Sequence, residues 1–272
     1  MKLLPLLFAT LTLTVAGPTL AGSAAESEPQ FAADEISRFA KSVEKFAAAK
    51  GARAFIIGRM GRPAEELPRG VEFTHTAVAI YSAISLPDGS VAKGYAIHNL
   101  YQTAEDISRS ELVVDYPVDF FWGAHAMRAG IIIPTPALQQ RLVAAYSDGT
   151  AEQVHRPGYS VVASPYNDQF QNCTEHTLDV INAAIYQTTD YARLKANTQA
   201  HFQAQVLDFP ALKLAMANLM MKDLSTRDHG GPVATATFAT IADYLQHNQL
   251  MGEALVLEAD GTTSPILPPA TI

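Results

Sequence analysis

Between residues 33 and 49 the apolar side chains Ile36, Phe39, Ala40, Val43 and Phe46 recur at the spacing of one helix face, and Gly51 stops the pattern. The period then shortens. Residues 53–59 carry the run Ala54, Phe55, Ile56 and Ile57, and residues 74–83 and 92–100 read as two further strands. Between those two lies Leu86-Pro87-Asp88-Gly89-Ser90, whose proline and Asp-Gly pair are turn chemistry, so the segment is expected to close a hairpin. Residues 113–118 and 129–133 add strand candidates, and 136–146 reads as a helix ended by Asp148-Gly149. Beyond Cys173 the pattern turns helical, over 178–186, 191–202, 212–221 and 238–247, with one late strand at 254–258 available to return to the sheet. Strands first and helices later, without regular alternation, predict an α+β fold. Residues 26–272 are expected to form a single domain with a helical extension from about residue 204, since no Gly-, Ser- or Pro-rich linker marks a division there.

The amino terminus has a different character. Lys2 precedes an almost wholly apolar or threonine run over residues 3–15, and Ala21, Ser23, Ala24 and Ala25 offer small residues for cleavage, so residues 1–25 read as a secretory signal. That run is too short to span a bilayer, and no comparable stretch follows. The mature chain is therefore expected to have no membrane span and to be periplasmic or secreted. A formal charge of −8 with no Lys/Arg cluster gives no electrostatic footprint for nucleic acid.

The chain has one cysteine. Export to an oxidising compartment makes an unpaired thiol a liability unless its reactivity is wanted, although cysteine also serves as a small buried hydrophobe. Asn172 is available as an N-cap and Glu175 as its capping-box partner, which places Cys173 in the first turn of a helix. There the backbone N–H groups and the dipole favour a thiolate, while the Glu175 carboxylate works against it.

A thiol nucleophile needs a base and a group to orient that base. His75 opens the strand 74–83 and His98 lies near the end of the returning strand, so the two rings are expected to be neighbours at one end of the hairpin. A structural reading stands beside this one, because a histidine at a strand edge commonly satisfies a backbone carbonyl. His176, three residues beyond Cys173, is a rival base; zinc-ligand spacings are absent, and neither metal nor cofactor is expected. Tyr166, Gln171 and Asn172 are candidates to donate to an oxyanion or to contact substrate, beside the Cys173 backbone N–H. Arg59 and Arg62 offer guanidinium groups to a substrate carboxylate, and the same residues suit a solvated turn.

The order of a histidine at a strand head, a turn, a second histidine late in the next strand, and an Asn-Cys at a helix start resembles the circularly permuted papain-like hydrolases and acyltransferases of the NlpC-type superfamily, which include the lecithin:retinol acyltransferase relatives. The motif there commonly reads Asn-Cys-Glu-His, and Asn172-Cys173-Thr174-Glu175-His176 is one residue longer. The resemblance covers roughly residues 70–186 and implies a permuted papain-like core with Cys173 as nucleophile, His75 as base and His98 as the third polar residue. Phe73-Thr74-His75, the run from Gly94 to Tyr101, and Gln171-Asn172-Cys173-Thr174-Glu175 are also similar to an exported bacterial family of unknown function, the one numbered 2145. The function expected is that of an exported thiol hydrolase acting on an amide or peptide bond, with cell-wall peptide (peptidoglycan) as first substrate class. The alternatives are a lipid or thioester acyl hydrolase or acyltransferase, and a non-enzymatic envelope binding or scaffold module on the same fold.

Overall fold

The computed structural model describes residues 28–86, 88–208 and 218–266. Helix α1 (Ala33–Ala49) leads into β1 (Ala54–Arg59), β2 (His75–Ser85), β3 (Val91–Gln102) and β4 (Ser110–Asp115). Then follow α2 (Pro117–Trp122), β5 (Arg128–Pro134), α3 (Pro136–Ser147), α4 (Thr150–Gln153), α5 (Cys173–Tyr186) and α6 (Tyr191–His201). A short pair, β6 (Gln205–Val206) and β7 (Ala234–Thr235), precedes α7 (Phe238–His247), β8 (Met251–Glu258) and β9 (Thr263–Ser264). Seven strands form one antiparallel sheet in the order β4-β3-β2-β1-β5-β8-β9. The fold is thus α+β, and the late strand does return to the sheet, beside β5.

Helices cover both faces, which explains why β1 reads as an unbroken apolar run rather than an alternation. Ala54, Ile56, Val78 and Ile80 pack with α3, α5 and α7, whereas Phe55, Ile57, Ala77 and Ala79 pack with α1 and α2. The β2–β3 hairpin closes as its turn residues predict: Leu86 N–H donates to the Ser90 carbonyl at 2.8 Å, and Gly89 sits at φ 81°, where only glycine is unstrained. One element assignment changes. The expected strand over 113–118 ends at Asp115, because Pro117 has no N–H to give a ladder and instead starts α2, with the Asp119 carboxylate accepting the Tyr116 N–H. The helix expected to carry Cys173 in its first turn begins at Cys173, with Asn172 as its cap. The secretory signal, and residues 212–217 of the helix expected over 212–221, lie outside the described residues.

One close approach fixes the wall of the site. Gly58 and Gly130 face each other on β1 and β5, and the rings of Phe73 and Phe238, 4.9 Å apart, lie on the floor they leave. A Cβ on Gly130 would stand 2.6 Å from Phe238 and 2.9 Å from Phe73. Gly130→Ala is therefore expected to cost about 1–3 kcal/mol, read as a lower urea midpoint at unchanged m-value, because both rings must shift within a packed layer. An unchanged midpoint would show that the rings move freely.

Candidate functional site

Cys173 opens the 14-residue helix α5. The Asn172 side chain accepts the Glu175 N–H at 2.9 Å, as an N-cap does. The capping box is not closed, however: the Glu175 carboxylate turns inward to Lys195 Nζ at 2.7 Å. Burial acts in the direction of a protonated Glu175, holding its carboxyl well above the ordinary range against the pull of Lys195. The thiol packs beside Leu100 and Tyr159, with Sγ 3.9 Å from the Thr74 carbonyl and 3.8 Å from Thr174 Oγ1. Cys173 is 4% exposed, and it lines a pocket whose walls include Phe73, Val71, Val162 and Leu207.

His75 is the residue after Thr74. Since the Thr74 carbonyl lies 3.9 Å from Sγ, peptide geometry keeps the sulfur within about 7 Å of His75 Cα. The ring points toward the α2 layer, stacked on Tyr101 at 4.9 Å and tilted against Phe120 at 5.5 Å. Its Nε2 meets Asn99 Oδ1 at 2.9 Å. Asn99 Nδ2 is committed to the Ile97 carbonyl at 3.0 Å and Asp115 Oδ2 at 3.3 Å, so the amide presents its oxygen to the ring. Nε2 must then carry the hydrogen, and Nδ1 holds the lone pair. That buried Nδ1 has no hydrogen-bond partner among the described residues. Burial first, and the Arg59 guanidinium second, hold the His75 pKa down to about 3, so the imidazole is neutral near pH 7. Arg59 itself is buried, donating to the Phe120 carbonyl rather than sitting in a solvated turn.

His98 does not orient His75. It pairs with Val78 across the hairpin and faces the other layer, where its ring lies 4.3 Å from that of Tyr146. Strand parity is the reason: directly opposed residues share a face, and His75, three residues before Val78, takes the opposite one. Asn99, one residue further along β3, has the required parity. Alternation could have found it, but only with the β2–β3 register known.

The other candidates are mostly occupied. Gln171 is fully buried, its amide nitrogen near Asp179, Tyr191 and the Val154 carbonyl and its oxygen accepting the Arg156 N–H. The Tyr166 hydroxyl donates to the Phe202 carbonyl and accepts the Ala204 N–H. Asn172 lines the pocket, but its amide hydrogens go to the Val161 carbonyl and Thr235 Oγ1. The donor left beside the thiol is the first-turn backbone of α5, whose N–H groups have no acceptor within the helix. His176 is buried, its Nδ1 without a hydrogen-bond partner among the described residues, and its ring lies 6.0 Å from that of His155. Among the described residues, no group of three or more His, Cys, Asp or Glu side chains is placed to hold a metal ion, and no helix is long and apolar enough to cross a membrane.

Burial also lowers the His176 pKa to about 3. An unfolded histidine takes its proton near 6.5, so between about 6.5 and 3 the unfolded chain binds protons that folded His75 and His176 refuse. Their stabilisation is complete above that window and lost as pH falls through it. At pH 5 each is expected to have forfeited about 2 kcal/mol. Glu175 acts in the opposite sense, so the per-residue effect is read by difference: urea midpoints at pH 7 and 5 for the wild type and His176→Gln. Parallel losses in the two proteins would exclude a neutral buried His176.

A family model described as an uncharacterized protein conserved in bacteria (DUF2145) matches residues 46–245. No curated protein matches the chain, and no solved structure does.

Proposed function

The chain belongs to that bacterial family, DUF2145, and we propose that it is an exported thiol hydrolase with a permuted papain-like, NlpC-type core that cleaves an amide or peptide bond, with cell-wall peptide as the first substrate class. The observation that carries this reading is a pair held in order: His75 Nε2 fixed by Asn99 Oδ1, its lone-pair nitrogen unpartnered, on the residue that follows the carbonyl beside Sγ. Cys173 is the nucleophile, His75 the base and Asn99 its orienter, a Cys-His-Asn set in which Asn99 takes the place expected of His98.

In this reading the thiol proton passes to His75 Nδ1 as the sulfur bonds to the substrate carbonyl carbon. The first-turn N–H groups of α5 receive the charge that develops on the carbonyl oxygen. Nδ1 returns the proton to the leaving amine, leaving a thioester on Cys173. Water then gives a proton to Nδ1 and its oxygen to the acyl carbon, which releases the acid and restores the thiol.

Two observations favour a second reading, a binding module with an inert cysteine: in this structure Nδ1 and Sγ are not hydrogen-bonded, and the His75 ring lies in the α2 layer whereas α5 packs against the opposite face of the sheet. Iodoacetamide separates the two, since a single cysteine gives an unambiguous adduct. Modification of the folded chain near neutral pH, slowed in His75→Ala, is the expected result, followed by amine release from cell-wall peptides that Cys173→Ser abolishes. Labelling that requires denaturant assigns the thiol to the core and sinks the hydrolase.

A further inference from the structure

Resting on the hydrolase reading of this site, we infer that Asp115 is its outer positioning residue: one carboxylate oxygen, gripping Asn99 and Tyr101 together, selects the orientation of the asparagine amide and thereby the nitrogen of His75 that is left free. Asp115 ends β4 and stands opposite Ile97 of β3, so it shares a sheet face with Asn99 and Tyr101. Its Oδ2 accepts Asn99 Nδ2 at 3.3 Å and the Tyr101 hydroxyl at 2.7 Å. Both partners touch His75, Asn99 through Nε2 and Tyr101 through a ring stacked at 4.9 Å and 6°. A single atom therefore governs the hydrogen bond that sets the tautomer and the plate that sets the ring plane.

An asparagine amide can flip, and each end finds different partners. As it stands, Nδ2 uses its two hydrogens on Ile97 and Asp115. Flipping would aim Oδ1 at two acceptors and lose both bonds. Without the Asp115 carboxylate only the Ile97 bond opposes the flip, and a flipped amide donates to Nε2 and moves the imidazole hydrogen to Nδ1. That form has no lone pair to accept a thiol proton. Asp115 touches neither the sulfur nor the pocket, which makes it a positioning residue rather than a catalytic one.

The test reads the tautomer directly. Imidazole nitrogen shifts are measured on the full chain with labelled histidine, His75 being assigned by its loss in His75→Gln. The expected wild-type signal is that of the Nε2–H form. Asp115→Leu, close in shape and without an acceptor, is expected to show a substantial Nδ1–H population and at least severalfold slower iodoacetamide labelling of Cys173; Asp115→Asn, whose carbonyl still accepts, restores both. Asp115→Ala replaces the leucine variant should the latter fail to fold by circular dichroism. A pure Nε2–H signal in the folded acceptor-less variant overturns the inference. If the wild-type thiol does not label, the hydrolase reading fails, while the tautomer comparison still decides the role of Asp115.

Discussion

His75→Ala is expected to lower turnover by about 10²–10⁴-fold with the fold intact, the range that a general base supplies. The loss should fall on kcat more than on KM, because Nδ1 acts on the thiol proton and not on the bound substrate. Asn99→Ala should lose less, since the imidazole remains but is free to turn and to change tautomer. His98→Ala is the control: it sits one residue from Asn99 yet its ring packs on Tyr146 of α3, on the face opposite to His75, and activity should be near wild type. Rates for these variants at matched folding, on whichever amide substrate is turned over, check the assignment. An inactive, folded His98 variant beside an active Asn99 variant would reverse it.

Lys195→Ala is expected to destabilise the fold by about 3–5 kcal/mol, against less than about 0.5 kcal/mol for Lys41→Ala at an exposed position of α1. Lys195 Nζ lies 2.7 Å from Glu175 and 2.9 Å from Asp179, both carboxylates fully buried and one turn apart on α5. Tyr191 and Gln171 add hydrogen bonds to Asp179, at 2.7 Å each. Removing the ammonium takes the cation from the Asp179 charge and from whatever charge Glu175 keeps against its burial, and the donors that remain serve Asp179 only. Protonation removes the charge left uncompensated, so the deficit of the variant should shrink from pH 8 to pH 5. Urea midpoints at both pH values measure it, and a deficit as small as that of Lys41→Ala would mean that the carboxyls are already neutral in the wild type. The same network ties α5 to α6 directly behind the thiol-bearing turn, which links the stability of this cluster to the position of Cys173.

Local signals were enough for much of the molecule. The α1 stripe, the hairpin turn, the α+β class and the Asn172 cap of the Cys173 helix each depend on side-chain period or on neighbours within four residues, and such short-range physics is written in the order of residues. The sequence by itself determined that a single thiol stands at a helix start and that His75 heads a strand. Only the tertiary structure decided which β3 residue meets that histidine, because register sets parity and a shift of one residue exchanges His98 for Asn99. It also decided the fate of Glu175: a local capping box competed with an ammonium arriving from α6, and in a buried layer the charge partner prevailed over the exchange of one backbone N–H. Gln171 and Tyr166, polar and close to the cysteine in sequence, were claimed by buried partners from α5, α6 and the loops around them, since polar groups inside the fold are held wherever a partner is within reach.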